Sequence, residues 1–520
     1  MVKGILLAIY FAVLLFIGFK CRKGANSVDG FVLGGRSVGA WLTAFAYGTS
    51  YFSAVVFIGY AGQFGWKYGI ASTWIGIGNA LIGSLMAWTI LGRRTRLLSQ
   101  HLNASTMPEF FGRRFDSKAL KLIASLIIFV FLVPYTASLY NGLSRLFEMA
   151  FHIDYSVCII MMSVLTAIYV IAGGYLATAV NDFIQGIIML FGLVAVIVAV
   201  IMSKGGFTAA IDSLARVSDS AVSTSPGIFA SFFGPEPLNL LFVIILTSLG
   251  TWGLPQMVQK FYAIKNEDAI RKGTVISTLF AFVIAGGCYF LGGFGRIFGN
   301  EIGMAIGKGG GMMPCGGFDA IIPAMLSNLG PWLIALTVIL VLSASMSTLS
   351  SLVITSSSTL TSDFIKGSVA KRMTPRIEVF IIRIFIVVFI AISAALALVQ
   401  HKSSVTFIAQ LMGISWGALA GSFLAPFLYA LYWKGTTKLS CWVSFIFGSG
   451  LMVIDMVARE CLPAIMRSPI NCGAIAMLAG FVIVPLVSLI SKAPDRRFTD
   501  RLFECYDRQH PIAAKTALAD

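Results

Sequence analysis

The stretch 343–364, SASMSTLSSLVITSSSTLTSDF, holds 13 serines and threonines in 22 residues and follows directly on the apolar run WLIALTVILVL. Hydroxyls are costly in an apolar medium unless they are hydrogen-bonded. Helical spacing puts Ala344, Ser347 and Thr348 on one face, at i, i+3 and i+4. A small residue beside two hydroxyls lets a neighbouring backbone approach closely. Two readings of this face are open: oxygen ligands for a hard cation, or small packing residues whose hydroxyls bond the preceding turn of their own helix. For the later hydroxyls, Thr355 to Ser362, packing is the preferred reading, with Asp363 and Lys366 solvated at the helix end.

The composition says which medium surrounds this helix. The 520 residues are 58% hydrophobic and only 12% charged, about half the charged share of an ordinary soluble domain. Apolar runs of about 20 residues read as membrane spans. Thirteen are marked: 4–19, 40–64, 69–91, 122–140, 155–172, 182–202, 238–259, 274–293, 331–358, 377–399, 405–432, 439–456 and 473–490. One transmembrane domain over 1–491 accounts for the chain, with 492–520 as a short cytoplasmic tail.

The net charge of +16 is an orientation signal and implies no nucleic-acid partner. With the N-terminus outside, the inward loops and tail carry 27 of the 38 lysines and arginines, the outward side 10, and Arg383 lies within a span. This is the positive-inside bias of a multi-pass plasma-membrane protein with its C-terminus in the cytoplasm. The opening run MVKGILLAIYFAVLLFIGFK is followed by CRKG with no small-residue cleavage site, so it reads as a retained span. The eight cysteines have no metal-type spacing; Cys315, Cys461 and Cys472 fall in or near outward loops, where a disulfide is possible.

Two spans carry breaking residues. The second, AWLTAFAYGTSYFSAVVFIGYAGQFGW, has glycines and hydroxyls halfway across. The seventh, LFVIILTSLGTWGLPQMVQKFYA, has Gly250, Gly253 and Pro255. Proline removes an N–H and clashes with the preceding turn. An unwound backbone at membrane depth is tolerated only where it lines a buried or wet site. The two lie five spans apart, so 40–202 and 238–432 form five-helix units of opposite orientation, the inverted-repeat plan of secondary transporters. Ordinary kinked helices are the alternative.

Four stretches then resemble the sodium:solute symporter family, in order from about residue 28 to about 450. They are GFVLGGRSVGAWLTAFAYGTSYFSAVVFIG, AGGYLATAVNDFIQGIIMLFG, the hydroxyl-rich run, and WGALAGSFLAPFLYALYWKGTTKLSCWVSFIFG. The resemblance implies a LeuT-like all-α fold of about 13 transmembrane helices with segments 2 and 7 broken. It implies a sodium site on backbone carbonyls near Thr49 and Phe52, the carbonyl of Ala344, and the hydroxyls of Ser347 and Thr348. One departure stands out: Tyr51 occupies the place of an Asp in the proline branch, and with Gly253–Pro255 it is nearer the pantothenate branch.

Solute contacts are expected from the breaks and the facing span: Gly59, Thr251, Trp252, Pro255 and Tyr135. Aromatic rings with polar tips suit a small amphiphilic solute, although Trp and Tyr also gather at membrane interfaces. Asp182, expected at the start of span 6, either serves ion entry and release or caps its helix. Arg36 is either an inner-gate residue or one more inward charge. The expectation is a sodium-coupled symporter, functional as a monomer, importing a carboxylate-bearing solute such as pantothenate, another monocarboxylate or an amino acid such as proline. It needs no cofactor and no metal beyond sodium. Alternatives are a proton-coupled transporter of the same fold or a non-transporting solute receptor. A membrane enzyme would need a cluster of carboxylate, His or Cys residues at the boundary, which is not evident.

Overall fold

The computed structural model describes residues 2–21, 27–151, 153–306, 312–315, 317–327, 329–366, 373–403 and 408–507. The expected start of span 11 at 405 and the end of the tail, 508–520, lie outside them.

Apolar side chains on all sides of a helix suit burial or lipid, and this molecule uses both. Among the described residues nine helices are long and apolar enough to cross a membrane, or ten if Pro237–Gly253 and Pro255–Ala263 count as one bent span. The expectation was thirteen. Two of the nine, Val55–His101 and Tyr155–Ser203, each cover parts of two expected spans. Uninterrupted, 49 residues of helix would reach about 70 Å, over twice the hydrocarbon thickness. The Tyr155–Ser203 helix instead turns at Gly174, whose φ of 57° and ψ of −152° are open to glycine but not to a side chain. Gly69 (φ 61°, ψ −143°) plays the same part in Val55–His101. Val2–Lys20 supplies a shorter apolar helix.

Most of the Ile408–Tyr432 helix is buried within the protein, whereas most of Pro375–Gln400 is not. The first therefore belongs to the middle of the bundle. The second turns side chains such as Phe380 and Val387 outward. The hydroxyl-rich helix Pro331–Thr359 is also central and packs along Tyr155–Ser203. The remainder includes a small antiparallel hairpin, Met304–Ile306 with Met312–Pro314. Past the last span, the helix Arg496–Asp507 lies against Arg93–His101.

The second segment is helical over Ala40–Thr49, leaves the helix at Ser50–Ser53, and resumes in wide π-type turns over Val55–Tyr60. The seventh is helical over Pro237–Gly253 and Pro255–Ala263, bent by 46° at an extended Leu254. Pro255 cannot donate back into the first helix, which ends it there. Gly253 is required by packing: a Cβ there would stand 2.9 Å from Ala420 Cα and from Leu424 N. Val38 N donates to Ala263 O at 3.2 Å, and Lys265 N donates to Val38 O at 3.0 Å. Thus Ala40–Thr49 begins where Pro255–Ala263 ends, with Val38 and Ile264 joined in a parallel bridge.

Candidate functional site

Where the second segment leaves its helix, the carbonyl of Thr49 is released from the backbone ladder. In a continuous helix it would take the amide four residues on. Here it takes two hydroxyls: Ser347 Oγ at 2.9 Å and Thr348 Oγ1 at 3.1 Å. The same hydroxyls reach the carbonyl of Ala344, at 3.0 and 3.1 Å. Four of the five expected ion ligands thus form one buried oxygen cluster across two helices. Each hydroxyl has one proton to give, so the four oxygens hold more lone pairs than the two protons can fill. Phe52 lies in the same break, with its ring against Tyr51 at 4.2 Å between centroids.

The rest of the expected packing hydroxyls divide. Ser345, Ser350 and Ser358 bond backward to Val341, Ser347 and Thr355 carbonyls, and Thr355 donates to Gln259 Oε1 at 2.6 Å. Asp363 departs from expectation. It is fully buried rather than solvated, accepting from Thr106 Oγ1 at 2.5 Å and pairing with Lys121 at 3.1 Å. The chain beyond residue 359 continues helically and folds in against the Lys118–Phe151 helix instead of emerging.

Beside the cluster stands an aromatic group. Tyr51 stacks on Trp416 at 5.6 Å, and Tyr135 meets the same indole edge-on at 5.9 Å. The Tyr51 hydroxyl donates to Thr247 O at 2.5 Å, tying the second-segment break to the seventh segment. The Tyr135 hydroxyl, Trp416 Nε1 and both amide atoms of Gln256 are buried without a protein hydrogen-bond partner. Buried polar atoms in a native protein are normally paired; the side chains near the Tyr135 hydroxyl are Ser53 and Trp416. Trp416 and Gln256 were missed from the sequence. Trp416 stood inside the quoted WGALAG motif and Gln256 directly after Pro255, and that adjacency was the available signal.

The other expected contacts separate. Tyr135 belongs to the aromatic group, and Pro255 starts the second half of the seventh segment. Thr251 and Trp252 point instead to the third span, donating to Gly83 O at 3.1 Å and Ile82 O at 3.0 Å. Gly59 abuts Ile408, 2.9 Å from where its Cβ would be.

Arg36 meets no carboxylate within 4 Å among the described residues. It donates to Ala104 O at 2.5 Å, Ser99 Oγ at 3.3 Å and Tyr262 O at 3.4 Å, joining three elements at one end of the bundle. Burial lowers its guanidinium below the ordinary value, and the Asp29 carboxylate opposes that shift. Asp182 sits two turns beyond Gly174, inside the helix rather than at its start. Neither of its oxygens accepts a hydrogen bond, so it caps nothing. Its neighbour is Lys260 Nζ, at 3.9 Å.

Cavities open toward both ends of the second segment. One of about 690 Å³ is lined by Asp29, Glu109, Lys121 and Glu378 among others. The other, of about 580 Å³, lies between Gln63, Lys67, Glu236 and Asn471.

Residues 31–448 match the model of the sodium:solute symporter family. A sodium/proline symporter of Staphylococcus aureus is 29% identical over 503 residues, covering 94% of this chain and 91% of its own. Among solved structures, a Na+-coupled sialic acid symporter in a substrate-bound outward-open state aligns at a TM-score of 0.71. That alignment has 18% identity and covers 95% of this chain and 99% of the other. A manganese transporter of Eremococcus coleocola aligns at 0.50 with 13% identity, over 91% and 96%. At such identities the structural likenesses speak for the fold alone.

Proposed function

We infer the function from an established premise: the chain belongs to the sodium:solute symporter family, whose members are multi-pass membrane transporters and not enzymes. Our reading is that the sodium gradient drives import of a small carboxylate-bearing solute by alternating access, with both passengers held between two broken segments of an inverted repeat. The observation that carries it is the oxygen cluster of Thr49 O, Ala344 O, Ser347 Oγ and Thr348 Oγ1, spaced 2.9–3.1 Å at a helix break. Neutral oxygen donors suit a hard monovalent ion, and Phe52 O is the fifth ligand in this reading. Ion binding pins the second segment to the hydroxyl-rich helix and so favours the conformation that takes up solute. That is reciprocal coupling between two sites.

For the solute, the Tyr51–Trp416–Tyr135 group supplies the apolar wall. The start of Pro255–Ala263, with the Gln256 amide, supplies a dipole end that favours an anionic group. The sodium/proline symporters among the relatives support a carboxylate-bearing passenger. Thr251 and Trp252 hold the break against the third span, Gly59 seats Ile408, and Arg36 clasps the cytoplasmic end. Asp182 belongs to the ion path. The protein works as a monomer in the plasma membrane, N-terminus outside and C-terminus in the cytoplasm.

The test is uptake of labelled proline, pantothenate and a short monocarboxylate into proteoliposomes, with and without an inward sodium gradient. At least one is expected to accumulate only with sodium. Accumulation driven equally well by a proton gradient in sodium-free buffer would replace the coupling ion, and solute binding without counterflow would make the protein a receptor.

A further inference from the structure

A third cavity lies apart from the transport path. It has a volume of about 350 Å³ and is lined by Arg114, Asp116, Lys438, Lys492, Asp495 and Phe498, among others. Lys438 opens the helix Lys438–Val457, and Lys492 follows the end of Pro469–Ile490. Phe498 comes from Arg496–Asp507. The cavity therefore sits where two membrane-spanning helices meet the tail helix, at the ends that the proposed orientation turns to the cytoplasm.

Three cations and two carboxylates share this lining. Asp495 Oδ1 is occupied by the Arg497 amide, which donates to it at 2.9 Å. Arg114 is only 1% exposed. Its Nε and Nη2 donate to the carbonyls of Ala430 at 3.2 Å and Trp433 at 3.3 Å, while Nη1 meets no acceptor among the described residues. Nor does a carboxylate pair with Arg114 there. A buried charge without an opposite partner is unfavourable, and a guanidinium fork matches a phosphate. Lys438 and Lys492 are exposed and pair with no carboxylate among the described residues either. The flank decides which kind of phosphate fits. Leu439, Leu489 and Ile490 adjoin the two lysines along the chain and are 53%, 72% and 85% exposed. On spanning helices such side chains face acyl chains. A free phosphate gains nothing from that wall, whereas a phospholipid lays its tails on it.

We propose that this cavity holds the head group of an anionic phospholipid from the cytoplasmic leaflet. Arg114, Lys438 and Lys492 are its counter-charges, and its tails run along Leu439, Leu489 and Ile490. Basic pockets between spans on the cytoplasmic side take anionic head groups in this way. The bound lipid ties the tail helix to the two spans, whichever ion and solute are carried.

The experiment is thermal unfolding of the purified full-length protein in detergent, with phosphatidylglycerol, phosphatidylcholine or potassium phosphate added. Phosphatidylglycerol is expected to raise the wild-type midpoint by several degrees through binding to the folded state, and the other two to leave it in place. Lys438→Ala with Lys492→Ala removes two exposed side chains and is expected to lose at least half of that gain. Arg271→Ala with Lys272→Ala makes the same charge change at another exposed site and is expected to keep all of it. The proposal is overturned if phosphatidylglycerol gives wild type no gain, or if phosphatidylcholine gives an equal one. Equal stabilisation by potassium phosphate makes the cavity a free-anion site and overturns the lipid. A full gain in the 438/492 variant, or an equal loss in the 271/272 variant, overturns the location.

Discussion

Ser347 and Thr348 each face two carbonyls, and that doubling makes their removal informative. Replacing both by alanine takes away two of the four clustered oxygens while leaving the helix backbone intact. Each lost oxygen contact to a charged partner is worth about 1.5–3 kcal/mol. Ser347→Ala with Thr348→Ala is therefore expected to raise the sodium concentration for half-maximal uptake by roughly 100-fold or more. Unchanged sodium dependence in proteoliposomes would place the ion elsewhere. These hydroxyls were legible in the sequence because helical period, small neighbours and an apolar run together leave one polar face. Lys260 was not. With the seventh span drawn to end at 259, a lysine at 260 reads as one more inward charge, and only its position under Asp182 shows it inside. Asp363 was misread for the same reason: a carboxylate near a span end looks solvated until its partners, Thr106 and Lys121, arrive from distant sequence.

At the scale of elements, the two interruptions were announced by residue chemistry: glycines and hydroxyls in the second segment, Gly-Leu-Pro in the seventh. The turn at Gly174 was not. The marked spans left a gap over 173–181, yet the chain stays in helical hydrogen bonding around one glycine with positive φ, and the next helix starts early enough to take in Asp182. The bend of the seventh segment depends on close contact with the Ile408–Tyr432 helix. Gly253→Ala places a methyl against backbone atoms of residues 420 and 424, which cannot rotate away. Overpacking of this kind costs about 1–3 kcal/mol. The variant is expected to melt several degrees lower in a fluorescence-detected unfolding scan. A wild-type melting curve would mean that the two segments do not pack this tightly.

For the molecule as a whole, orientation rests on the distribution of basic residues and has a direct check. Cys315 and Cys461 are exposed free thiols, whereas Cys158, Cys288, Cys441 and Cys472 are buried. With the N-terminus outside, a membrane-impermeant maleimide is expected to label Cys315 and Cys461 on intact cells. Labelling should fall to background in Cys315→Ser with Cys461→Ser. Label appearing only after permeabilisation would invert the topology. The architecture was legible at this scale because lipid forces apolar length and charge asymmetry into the sequence. The inward-facing aromatic group was not, because Tyr51, Tyr135 and Trp416 come from three segments that no local pattern connects.

The backbone bonds of Val38 to Ala263 and Lys265 join the outermost ends of two half-helices that belong to opposite halves of the chain. A joint made of peptide groups is insensitive to side-chain chemistry and resists shear. Under the proposed symport, the two rods it couples are expected to tilt together, so that an exit uncovered for the ion is uncovered for the solute as well. Tight coupling, with little slippage of either passenger alone, is then expected from carpentry as much as from affinity.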